Sequence, residues 1–151
     1  MSDAGIYAAI EADIVTKLTG ISGVNSISAS MSANDLVYRQ GIQKPAIGIV
    51  HQGTEVMSQT ARGVNAPQFR AKVNYQVTVA ANDARGAISS RPLVQTILEA
   101  IRDRLHFKQP SGLPVPNIGL YRFVSEGYPE EQPQALIVAA ANYSLEVMLA
   151  N

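Results

Sequence analysis

Two stretches of the chain alternate apolar and polar residues with a period of two. Over residues 69–80, Phe69, Ala71, Val73, Tyr75, Val77 and Val79 share one face, and Arg70, Lys72, Asn74, Gln76 and Thr78 share the other. This pattern predicts a half-buried antiparallel strand with a polar outer face. From Gln134 onward, Ile137, Ala139, Ala141, Tyr143, Leu145, Val147 and Leu149 repeat the pattern and predict a second, unusually long strand. Two other stretches repeat at helical spacing. Ile6, Ile10, Ile14 and Leu18, with Val15 beside them, predict a helix over about residues 4–19, capped by Ser2 or Asp3 and stopped by Gly20 and Gly23. Leu93, Ile97, Ile101 and Leu105, with Val94 and Leu98 alongside, predict a second helix. Ser89 or Ser90 can cap it, Pro92 suits its first turn, and Arg102, Arg104 and Lys108 complement the dipole at its C-terminal end.

The connecting segments are less regular. Short strands are possible near Val24–Ser28 and Leu36–Gln40. Pro45 opens an apolar run from Ala46 to His51 that reads as a strand ended by Gly53. Residues 52–68 have no sustained period and read as a projecting loop or hairpin tip. Ile118–Val124 is a strand candidate, and the acidic, Pro-flanked turn Glu126–Pro133 makes a hairpin of the last two strands. The order of elements predicts one α+β domain over residues 1–151: a two-layer sandwich, mostly antiparallel sheet with two helices packed on one face.

Composition narrows the class. With 46% hydrophobic and 16% charged residues, a chain of 151 residues has the makings of a core and is not a disordered chain. The absence of cysteine excludes disulfides and thiolate metal sites. The N-terminal residues lack the basic start and apolar block of a signal peptide, and no apolar run approaches the ~20 residues that span a bilayer. A soluble, cytoplasmically made protein without membrane partners is expected.

Twelve basic and twelve acidic residues cancel overall but not locally. Met1–Tyr38 carries a net −3, Arg39–Lys108 a net +6 and Gln109–Asn151 a net −3. A split of this kind suits head-to-tail association, in which one face of a copy meets a different face of the next. Folding can also mix the segments and erase it. Arg62, Arg70 and Lys72 are the basic candidates for such a joint, and Glu126, Glu130 and Glu131 the acidic ones. Val56, Met57 and Val64 give the 52–68 segment apolar groups with little local pattern to bury them, so it is a further candidate contact with another chain.

Catalytic chemistry is sparse. The two histidines, His51 and His106, fall at the ends of predicted elements, and no nucleophile elbow or zinc-protease motif accompanies them. Gly20-Ile21-Ser22-Gly23 lacks the Lys and spacing of a phosphate loop. Glu130 and Glu131 are adjacent on a turn and read as a solvated pair. Phe69 and Tyr75 lie near basic residues but on the apolar face, so they read as core and not as a nucleic-acid stacking platform. No catalytic residue, cofactor or metal is expected.

Several segments resemble one family. The opening helix from Ile6 to Ile14, the Pro45–Val50 strand, the strand Tyr75-Gln76-Val77-Thr78-Val79, the polar break at Asn82-Asp83 and the helix reaching Ile101-Arg102-Asp103-Arg104-Leu105 are similar to those of Mu-like tail terminator proteins of long-tailed bacteriophages. The resemblance covers nearly the whole chain through generic motifs. It implies a homo-hexameric ring at the neck of the virion, assembled in the host cytoplasm. Such a ring caps the tail tube protein, ends tail polymerisation and offers a docking surface to the head–tail connector or stopper protein. DNA would only pass through its pore. Another neck or tail-tube subunit, or a small α+β ligand-binding domain, are the alternatives. Two long helices argue against a tube subunit.

Overall fold

Three strands of 15 residues each form the body of the sheet: β2 (Ala46–Thr60), β3 (Gln68–Asn82) and β5 (Leu136–Ala150). The computed structural model describes residues 3–39, 41–60, 68–82, 87–113, 119–129 and 136–150. A short β1 (Ser26–Ala29) and β4 (Arg122–Gly127) complete a five-stranded sheet in the order β1-β2-β3-β5-β4. Only β1 and β2 run parallel; every other neighbouring pair is antiparallel. On β3 and β5 the period of two appears directly as burial: Ala71, Val73, Tyr75, Val77 and Val79 are buried, and so are all seven alternating residues from Ile137 to Leu149.

The strand expected to end at Gly53 continues to Thr60, so the first part of the segment read as a projecting loop or hairpin tip is paired strand. Two bulges hid it. The β2–β3 register shifts between His51 and Gly53 and again between Val56 and Ser58. Ile47, Ile49 and His51 lie on the face of Tyr75 and Val77; past the first bulge that face is taken by Thr54 and Val56, and the register shifts again after Val56. Each extra residue reverses which parity points inward, so no single alternation survives in the sequence. Residues 61–67 lie outside the described residues.

Two long helices, α1 (Asp3–Leu18) and α3 (Ala87–Leu105), cover one face of the sheet. The α1 stripe Ile6, Ile10, Ile14 and Leu18 is buried as expected. In α3 the buried stripe is Val94, Ile97, Leu98, Ile101 and Leu105, whereas Leu93 is 41% exposed. A strict four-residue spacing advances about 40° per step round a helix, so Leu93 lies roughly 80° from Ile101 and leaves the covered stripe. The helix also begins before Ser89 and Ser90, which places Pro92 inside it instead of in its first turn. Arg104 serves the other helix: its guanidinium donates to the carbonyls of Lys17 (3.2 Å), Thr19 (2.6 Å) and Gly20 (3.5 Å), capping the C-terminus of α1.

A third helix lies where a strand was expected. α2 (Ala33–Tyr38) is capped by Ser32, whose side chain accepts from the Asp35 N–H. It packs on the opposite face of the sheet, where Met31, Leu36, Ala46, Ala80 and Val138 form a small second core. Gly48 lies beneath the chain entering this helix. A Cβ there would sit 2.8 Å from the Met31 carbonyl oxygen, a backbone atom that cannot swing aside. Gly48→Ala is expected to lower stability by about 1–3 kcal/mol through overpacking, measurable as an earlier denaturant midpoint.

The last hairpin forms as predicted, with its bounds moved. β4 starts at Arg122 and includes Glu126 and Gly127, which the sequence placed in the turn. Just before it, Tyr121 exchanges backbone bonds with the turn after α3: its N–H donates to the Lys108 carbonyl (3.0 Å) and its carbonyl accepts from Phe107 (2.7 Å). Ile118 and residues 130–135 lie outside the described residues.

Candidate subunit interface

Both histidines are held by structural partners. His51 stacks on Tyr7 with ring centroids 4.3 Å apart, and its Nε2 lies 3.0 Å from the Thr54 hydroxyl. The Tyr7 hydroxyl meets the same Thr54 oxygen at 3.0 Å. His106 Nδ1 accepts the Phe123 N–H at 3.0 Å, tying the turn after α3 to β4. Among the described residues there is no group of three His, Cys, Asp or Glu able to hold a metal ion. No described helix is long and apolar enough to cross a membrane.

The most concentrated polar cluster centres on Asp13 of α1, next to Ile14 of the buried stripe. Its carboxylate is buried and accepts four hydrogen bonds: Tyr121 hydroxyl (2.6 Å), Ser111 hydroxyl (2.8 Å), Ser111 N–H (3.3 Å) and Lys17 ammonium (2.9 Å). Burial by itself raises the carboxyl pKa, but the donors from Tyr121, Lys17 and Ser111 outweigh it and hold Asp13 below its ordinary value. Tyr121 is pushed far up by burial and by its bond to the carboxylate. The cluster is closed on itself, so it reads as an internal anchor and not as a reactive centre.

The candidate interface residues separate onto different surfaces. Arg70 and Lys72 lie on the outer face of β3, away from α1 and α3, in register with Met148 and Glu146 of β5. Glu126 is in register with Ala141, on the helix side of the sheet. Both faces therefore carry charge, but much of it is paired within the chain. Arg70 bonds Glu146 at 2.8 Å, and Arg102 of α3 bonds Glu126 at 2.8 Å. In these pairs, folding has joined the basic middle of the sequence to its acidic end. Phe69 and Tyr75 pack into the core cluster on the helix side, as their parity predicts. Arg62, Val64, Glu130 and Glu131 lie outside the described residues.

Val56 and Met57 are 53% and 48% exposed at the second bulge of β2. Phe107, Leu120 and Val124 are also exposed, at and beside β4 on the opposite edge of the sheet. Sequence reasoning missed this second patch. Val124 falls at a bulge between Phe123 and Ser125, where alternation again gives no guide.

No family model matches the chain, and no curated protein matches it. Among solved structures, it is similar to a chain described as "Virion of native gene transfer agent (GTA) particle". The two are 14% identical, the match covers 97% of this chain and 93% of that one, and the TM-score is 0.52. Over nearly its whole length, then, this chain shares a fold with a chain of the gene transfer agent virion.

Proposed function

We propose that the chain is a structural, non-catalytic subunit of a phage-like virion, and within it the tail terminator. The observation that carries the reading is the fold shared with a gene transfer agent virion chain over 97% of this chain and 93% of the other. A match that leaves almost nothing over on either side compares like with like. The placement at the neck rests on the sequence resemblance to Mu-like tail terminators. In this reading six copies close into a ring on the tail tube, stop its growth and present a surface to the head connector. Exposed apolar groups on opposite edges of the sheet support a ring former, since each copy of a closed ring presents two different surfaces.

The test is to make particles without this chain and image them. Tails of uncontrolled length and unjoined heads are expected, with normal particles restored when the chain is supplied. Joined particles with tails of normal length in its absence would reject the terminator role. Tubes failing to form at all would favour a tube subunit instead.

A further inference from the structure

We propose that Phe107 anchors the lateral joint between copies, its phenyl group seated against Val56 and Met57 on the β2 edge of the next copy. This rests on the ring reading above and names the side chains that make the contact. Phe107 lies in the turn after α3, in the left-handed region at φ 60°. That conformation favours glycine, and Gly20 takes it at the end of α1 with φ 89°. Ser30 is the one other non-glycine residue there among those described (φ 55°), and its hydroxyl bonds Glu11 at 2.6 Å. Phe107 gains less within the chain: it packs on His106, with ring centroids 3.8 Å apart, and stays 57% exposed. A large apolar side chain held out on strained backbone points to a role outside its own fold.

Three observations select a second copy of this chain as the partner. First, the corner around Phe107 offers side chains and not a strand edge. The Tyr121 carbonyl accepts from Phe107, His106 Nδ1 accepts from Phe123, and a bulge follows at Val124. What is left open is apolar: Phe107, Leu120 and Val124. Second, the other group of exposed apolar side chains, Val56 and Met57, lies on the opposite edge of the sheet, where β1 has already ended. Together these are five of the seven large exposed hydrophobic residues among those described. A two-fold contact at either edge would leave the other group in water, whereas a head-to-tail contact covers both. Unbranched Met57 adapts readily to an aromatic neighbour. Third, the rims carry opposite charge. Lys108 and Arg122 flank Phe107 and Leu120, Glu55 flanks Val56, and all three are exposed. None forms an ion pair within the chain among the described residues, although Lys72 stands opposite Glu55 in register.

Phe107→Gly and Phe107→Asn remove the phenyl group and suit the left-handed backbone. Diluted below its association range, the full chain carrying either substitution is expected to unfold at the denaturant midpoint of the natural chain or at a later one. At higher concentration both variants should associate about tenfold or more weakly by native mass measurement, the scale of losing a buried aromatic anchor. An earlier midpoint in both variants would mean that Phe107 serves its own fold and would overturn the proposal, as would rings that form equally well without it. A second arm keeps Phe107 and maps what it faces. The chain has no cysteine, so introduced pairs report cleanly. Met57→Cys and Val124→Cys together, treated with a flexible bis-maleimide, are expected to give a ladder from dimer to a closed covalent hexamer, while each single variant gives little product. Efficient dimer from either single variant would replace the proposed joint with a two-fold one. Rings that form without any cross-linking would reject this joint and leave the ring standing. A natural chain that is monomeric at every concentration, and on assembled particles, would reject both.

Discussion

Asp13→Ala is expected to lower the stability of the folded chain by about 3–5 kcal/mol, the cost typical of breaking a buried ion pair by removing one partner. The substitution strands the Lys17 ammonium, the Tyr121 hydroxyl and the two donors of Ser111 together, because all four point at one carboxylate. Asp13→Asn keeps the volume and one acceptor, so it is expected to lose less. The pH dependence separates charge from shape. The folded state holds the Asp13 pKa below its ordinary 3.8. Its contribution is therefore complete above that value and fades as pH falls through the lower, folded-state pKa. Denaturant titrations should show the gap between the natural chain and either variant widest at neutral pH and narrowing as the solution becomes more acid than 3.8. A gap of constant size down to pH ~2 would mean that packing, not the carboxylate charge, sets the loss.

Ile101→Ala should cost roughly 2–5 kcal/mol, the range for truncating a fully buried aliphatic side chain whose cavity cannot collapse. Ile101 is fully buried in α3, within the main core between helices and sheet. Leu93→Ala is the control: it belongs to the same four-residue series but is 41% exposed, and it should change stability by no more than about 0.5 kcal/mol. Thermal unfolding would show a fall of about 2–4 °C for each kcal/mol lost. Equal losses at the two positions would mean that Leu93 is buried in the working form of the protein, as an assembly contact on that face of α3 would make it.

These contrasts show where the sequence could be read and where it could not. β3 and β5 were legible because their alternation is unbroken over the whole buried stretch. β2 beyond Gly53 was not, because two bulges exchange the inward parity within a few residues. α2 has six residues and a single buried one, Leu36, which is too little for a helical period to register. Its cap, the Ser32 hydroxyl accepting from the Asp35 N–H, is a single local bond that no periodicity reports. The role of Asp13 leaves no local mark in the sequence, because its decisive partner, Tyr121, lies 108 residues away. The uneven charge of the three segments was visible at once. Its partial cancellation through Arg70–Glu146 and Arg102–Glu126 depends on strand and helix neighbours that only the folded chain supplies.

The position of β5 sets the order in which the molecule can be built. This strand lies between β3 and β4, yet it is the last of the elements along the chain. Until Ala150 has been synthesised, β3 has no neighbour along the edge where fifteen residue pairs will form, from Gln68 opposite Ala150 to Asn82 opposite Leu136. The nascent chain can close the β2–β3 hairpin and wind α3 on the ribosome, but it cannot close the sheet. The β3–β5 ladder waits until β5 has been made, which makes that step slow and leaves a long apolar strand open to foreign pairing in the meantime. A chain cut short before β5 should collect in aggregates instead of accumulating as a smaller folded domain.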